Sequence, residues 1–289
     1  MKPDLVVVGT DGSDQSFSAV AWAAHEAVMR GATLRIVSVP ALLPRMSWRP
    51  LEGTPETVTD MIVQSHKRAL SEAARRASET EPGLAVDTAL VPGPSASALI
   101  DAAAGASMLV VGSRGAGGFA ALLLGSVSRY AATRTDCPVV VVREEDMAVH
   151  REVVVGVRDL DQPAAIGFAF GEAALRKARL RAVHAWQLFL PEMRLTGTER
   201  PGADAEAVTA EVAEWLTGLL SFWREKYPEV DVVEEVVHAS PGRVLAASSA
   251  RADLTVLGRS GGDSQRPGAD PVIHAVLNHA HGPVAIVPE

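Results

Sequence analysis

A pattern of about 146 residues is written twice in this chain, which limits it to folds built from two like halves. Leu5-Val-Val-Val-Gly9 returns as Val153-Val-Val-Gly156, and Leu34-Arg-Ile-Val-Ser-Val39 as Leu180-Arg-Ala-Val-His-Ala185. Met108-Leu-Val-Val-Gly112 returns as Leu254-Thr-Val-Leu-Gly258, and Pro138-Val-Val-Val-Val142 as Pro283-Val-Ala-Ile-Val287. With 289 residues, each half is long enough to bury its own core. The polar stretch 144–150 is the joint, so the predicted domains are 1–146 and 147–289.

In the first half, apolar runs near 4–9, 33–39, 84–91, 107–112 and 138–143 alternate with helical stretches. Phe17, Val20, Ala21, Ala24 and Val28 mark the buried stripe of a first helix, and Val208, Val212, Trp215, Leu216 and Leu219 that of a long helix in the second half. Short β-branched runs alternating with helices predict an α/β fold: two tandem doubly wound parallel-sheet domains of Rossmann-like type. Ligands of such sheets lie beyond the carboxyl ends of the strands, where the strand order reverses.

Acidic residues outnumber basic ones, 35 to 27, and both halves are net negative, so an extended nucleic-acid surface is not expected. No apolar run is long enough for a membrane span, and the start of the chain lacks the apolar core of a signal peptide. The one cysteine, Cys137, permits no internal disulfide and reads as a small buried hydrophobe, so the expected setting is cytoplasmic. His274, His279 and His281 are too unevenly spaced for a metal set and read as surface or capping residues. Trp186, Trp215 and Trp223 read as packing anchors, and the proline-rich stretch 40–55 with Trp48 as a long surface loop, either a lid or a packing segment.

The chemistry concentrates in the first half. Gly112-Ser113-Arg114-Gly115 leaves the fourth strand, and nine residues later Gly125-Ser126-Val127-Ser128 opens a helix, with Ser126 expected as its N-cap. Free N–H groups at a helix start attract anions, so the two segments can wrap a phosphate chain. Phosphate contacts would come from main-chain N–H groups, from the Ser126 and Ser128 hydroxyls, and from Arg114 or Arg129; Gly117 and Gly118 add freedom to the loop. Gly9-Thr10-Asp11 ends the first strand at the same edge, where Asp11 either caps the first helix or accepts from a ribose hydroxyl or base amine. Neither a G-x-G-x-x-G fingerprint nor a phosphate-loop lysine motif occurs, which argues against a dinucleotide enzyme or a fast NTP hydrolase.

These residues resemble the universal stress proteins, whose ATP-binding members carry G-x-x-G, nine residues, then G-[ST]. The first half fits at Gly112, Gly115, Gly125 and Ser126, with Asp11 after the first strand, and the overall pattern resembles a tandem member of the family. The resemblance implies the adenine-nucleotide alpha hydrolase-like fold and an adenine nucleotide, ATP with Mg, as ligand. By the same resemblance Gly9, Asp11 and the backbone of Val39 face adenine and ribose. The glycine loop from Gly112 through Ser113, Arg114 and Gly115, with Gly125, Ser126, Val127 and Ser128, holds ribose and phosphates. It further implies a stress-response binding module that is not an enzyme, pairing of domains through their last strands, homodimerisation and a protein partner. A slow ATPase or a nucleotide-free scaffold is the alternative.

The second half departs from the pattern. Gly156-Val157-Arg158-Asp159 replaces Gly9-Thr10-Asp11-Gly12 and, counting nine residues on from Gly261, Pro271 and Val272 fall where Gly125 and Ser126 stand. Proline lacks an N–H and valine a hydroxyl, while Asp263 and Asp270 add repelling charge, so this half is expected to bind ATP weakly or not at all.

Overall fold

A computed structural model of the chain describes residues 4–40, 55–115, 124–143, 149–158, 162–186, 202–259 and 270–289. Residues 41–54 of the expected 40–55 loop, Gly117, Gly118, Asp159, Gly261, Asp263 and most of the 144–150 joint lie outside them. The chain divides into two compact units, the division falling between residues 145 and 146.

In the first unit, β1 (Leu5–Gly9), β2 (Thr33–Ser38), β3 (Val86–Leu90), β4 (Met108–Gly112) and β5 (Val139–Val142) form a parallel sheet in the order β3-β2-β1-β4-β5. Val6, Val7 and Val8, and Met108 through Val110, are fully buried, as expected of strands covered on both faces. The helices are α1 (Asp14–Arg30), α2 (Pro55–Thr80), α3 (Ser95–Ala102) and α4 (Ser126–Arg134); α1 packs with α2, and α3 with α4. The strand order reverses between β1 and β4, where a doubly wound sheet opens its crevice.

Capping sets the span of α1. The Ser13 hydroxyl accepts from the Ser16 N–H at its start, and Gly31, at φ 62°, ends it in the left-handed conformation that glycine adopts without penalty. Its buried stripe runs Phe17, Ala19, Val20, Ala23, Ala24 and Ala27. Val28, expected inside, is 45% exposed, because the stripe turns about the axis toward Ala27.

The second unit repeats the plan with β6 (Glu152–Gly156), β7 (Arg179–Trp186), β8 (Val232–His238), β9 (Leu254–Arg259) and β10 (Val284–Pro288), in the order β10-β9-β6-β7-β8. Its helices are α5 (Pro163–Arg176), α6 (Gly202–Lys226), α7 (Pro241–Ser248) and α8 (Pro271–His279). Leu216 and Leu220 are the fully buried anchors of α6. Trp223 lies flat on Gly167 and Phe170, Trp215 meets His184 edge-on and Trp186 stacks on His238, so all three tryptophans pack within the domain. No helix among the described residues is long and apolar enough to cross a membrane.

The repeat extends to a buried ion pair. Glu26, fully buried on α1, accepts from Arg30 at 2.6 Å, and Glu172 on α5 pairs with Arg176 at the equivalent place.

Candidate functional site

Parallel pairing of β1 with β4 brings Gly9 and Gly112 to one edge of the first sheet, each at the end of a buried strand. Beyond that edge is a cavity of about 400 Å³. Gly9, Asp11, Val39, Gly112, Arg114 and Gly115 line it from the strand ends, and Gly125, Ser126, Val127 and Ser128 from the start of α4. Ser113 does not line it. Ser113 is buried, its N–H donates to the Val142 carbonyl and its carbonyl accepts from the Gly125 N–H at 2.7 Å, so it ties the two ends of the loop together.

Sequence reasoning missed an apolar wall of Val37, Leu99, Val111 and Leu124, and a polar floor of Thr10, Ser16 and Ser95. The strand-end members follow from the register; Leu99 and Ser95 come from α3, which carries no motif. Arg129 lines the cavity one turn along α4 from Ser126.

The start of α4 differs from the expectation in one respect. Gly125, at φ −70° and ψ 157°, is the N-cap, and Ser126 is the first helical residue. Glycine has no side chain to cap the helix, so the first-turn N–H groups have no side-chain acceptor within the described residues. The Ser128 hydroxyl is committed inward, donating to the Gly112 carbonyl at 2.7 Å, and therefore holds the loop rather than a ligand. Gly112 is also required sterically: a Cβ there would lie 2.9 Å from the carbonyl oxygen of Gln15 in α1.

Across the cavity, Asp11 Oδ1 accepts from the Ser13 N–H at 3.0 Å and the Ser13 hydroxyl at 2.6 Å, and its Oδ2 sits against Gly115. Asp11 thus fixes the turn by holding Ser13, which rather than Asp11 itself is the N-cap of α1, and presents a carboxylate at the cavity wall. Thr10 before it is buried and fully engaged: its N–H donates to the Val37 carbonyl, its hydroxyl pairs with Ser16, and its carbonyl accepts from Ser38. The arrangement offers uncapped N–H donors and Arg129 on one side, a carboxylate acceptor on the other, and an apolar slot between them.

The second unit is built differently at the equivalent place. Asp270 is the N-cap of α8, so it stands where Gly125 stands, and Pro271, Val272 and Ile273 stand for Ser126, Val127 and Ser128. Asp270, rather than Pro271 as expected, thus stands for Gly125, because the connection in this half is one residue shorter. The Asp270 carboxylate accepts from the N–H groups of Val272 and Ile273, at 2.9 and 3.2 Å, and forms an ion pair with Arg158, which occupies the position of Asp11. The helix start that is uncapped in the first unit thus holds an anion of the protein's own. Glu289 does the same for α5, accepting from Ala164 and Ala165.

His274, His279 and His281 are all exposed, His274 pairs with Asn278, and among the described residues no three His, Cys, Asp or Glu side chains gather as a metal set. Burial pushes the Cys137 thiol up, as suits a packing residue.

Comparison with known proteins gives the family. The chain matches the Universal stress protein family twice, over residues 4–143 and 150–288. It belongs to that family. A universal stress protein of Mycobacterium tuberculosis is 34% identical over 290 residues, covering 97% of this chain and 96% of its own. One of Mycolicibacterium smegmatis is 34% identical over 265 residues, covering 89% and 87%. Among solved structures, a universal stress protein from Archaeoglobus fulgidus superposes with a TM-score of 0.72 at 16% identity, covering 99% of this chain and 96% of its own, a likeness of fold.

Proposed function

We propose that this universal stress protein binds one adenine nucleotide per chain, in the cavity of its first domain, and works as a ligand-responsive binding module rather than as an enzyme. The observation that carries the reading is the pairing of an uncapped α4 start with the Asp11 carboxylate across a cavity of about 400 Å³. Phosphates fit the N–H groups of Ser126, Val127 and Ser128 and the Arg129 side chain, the base fits the apolar slot, and a ribose hydroxyl or base amine fits Asp11. ATP is the expected form. Asp11 is the one carboxylate among the described lining residues, and Ser13 already holds it, so neither a water-activating base nor a ligand set for Mg is evident there. Occupancy changes the protein's behaviour by favouring whichever conformation binds the nucleotide more tightly, and so sets its choice of partner.

The test is direct. Heating the purified full chain should release adenine nucleotide identifiable by mass, and calorimetric titration of stripped protein with ATP should saturate at one per chain. Failure to bind ATP, ADP or AMP in both measurements would overturn the reading, and saturation at two per chain would overturn the asymmetry.

A further inference from the structure

We propose that His66, on α2 and outside the cavity lining, is a positioning residue for the nucleotide site, setting the Thr10–Asp11 turn through Ser38. The inference rests on the nucleotide reading above. Ser38, fully buried at the end of β2, donates its single hydroxyl proton to the Thr10 carbonyl at 2.7 Å. The 2.8 Å contact between Ser38 Oγ and His66 Nδ1 must therefore run the other way, with Nδ1–H as donor and Ser38 as acceptor. The chain of donors is directional, from His66 to Ser38 to the Thr10 carbonyl, and the next residue is Asp11. The same helix crosses the turn a residue further on, where a Cβ at Gly12 would stand 3.1 Å from that of Ala69.

Two further observations agree with this role. Burial holds the His66 imidazole below its ordinary pKa against the opposing pull of Asp11, the charged group that acts on it, so the neutral ring with its proton on Nδ1 is the working form. In the second unit the place of Ser38 is taken by His184, whose Nδ1 donates to the Val157 carbonyl, the counterpart of Thr10. A ring N–H thus fastens the same turn in both domains, directly in one and through a serine in the other. A buried carbonyl that loses its donor shifts to find another, and a turn displaced by a fraction of an ångström carries the Asp11 carboxylate with it.

The proposal is tested by the position of the donor atom. Asparagine places its side-chain N–H where Nδ1–H lies, whereas glutamine places it near Nε2, and alanine offers none. In full-length protein, His66→Asn should bind ATP within about twofold of wild type, while His66→Ala and His66→Gln weaken it about fivefold to tenfold. Ser38→Ala should cost about the same as His66→Ala, and the double variant no more than either, because both break one chain. Nitrogen-15 spectra of the wild type should show the ring proton on Nδ1. Wild-type affinity in His66→Ala, additive losses in the double variant, or a proton on Nε2 would each overturn the proposal while leaving nucleotide binding intact. A wild type that binds no nucleotide overturns the functional reading itself.

Discussion

Ser38 and His184 stand at matching places in the two domains, and both serve the turn that follows the first strand. The turn is thereby served by a part-buried imidazole in each domain, directly by His184 in the second and through Ser38 by His66 in the first; protonation leaves each Nδ1–H donor in place but charges a desolvated ring. Burial lowers the pKa of His184, with the Val157 carbonyl partly offsetting it, and burial also lowers that of His66. Unfolded histidine takes up a proton near pH 6.5, but the folded protein resists until the pH has fallen further. Stability is therefore at its full value above about pH 6.5 and declines as the pH drops toward the folded pKa values, since the unfolded chain then binds more protons. The melting temperature should fall between pH 7 and pH 5 on account of these two groups. His66→Asn and His184→Asn, which keep the donor and lose the titration, should each flatten the slope; an unchanged slope in the double variant would assign the acid sensitivity elsewhere.

At the scale of the element, α4 and α8 are the same helix with opposite starts. Gly125 leaves the first-turn donors of α4 without a side-chain cap, and Asp270 satisfies those of α8 while Arg158 neutralises it. Much of this was legible in the residues: the strands, their parallel direction and the repeat of the glycine segment at the end of β4 and of β9 follow from the apolar runs and their spacing. What escaped was the register of the degenerate half, because nine-residue counting assumes equal loop lengths and only the cap geometry shows that Asp270, rather than Pro271, stands for Gly125. The inward use of Ser128, the structural role of Ser113, and His66 escaped for a related reason. Each depends on a tertiary hydrogen bond, and the sequence distance from His66 to Ser38 carries no pattern. The contrast between the helices predicts a transplant. Gly125→Asp should cap α4 from within, since its backbone is already extended and its Cβ would meet the Ser113 carbonyl at a tight 3.3 Å. ATP affinity should drop at least about tenfold through repulsion and occupied donors, while thermal stability stays level or rises by up to about 1 kcal/mol. Gly125→Ala, which adds the Cβ without the charge, separates the two causes. ATP binding by Gly125→Asp at wild-type strength would sink the account.

For the molecule as a whole, two domains with one plan and the single nucleotide site proposed above imply that ligand acts on half of the chain. A ligand that binds the folded form alone stabilises it by RT ln(1 + [L]/Kd), about 2.7 kcal/mol at a hundredfold excess over Kd. Each domain has its own five strands, its own helix pairs and its own buried Glu–Arg pair on the first helix, so unfolding need not be a single two-state event. Calorimetry of the full chain with and without ATP should therefore show the heat of the first domain moving up by about 5–10 °C while that of the second stays near its place. Asp11→Ala should remove most of that displacement, and Asp270→Ala should leave it intact while lowering the second transition by the loss of a helix cap, about 1 kcal/mol. If ATP moved both transitions equally, the second domain would either hold a nucleotide of its own, which overturns the asymmetry, or melt only together with the first. Titration stoichiometry distinguishes these, since two nucleotides per chain means that the Asp270–Arg158 pair gives way to ligand, and one means that the domains unfold as a unit.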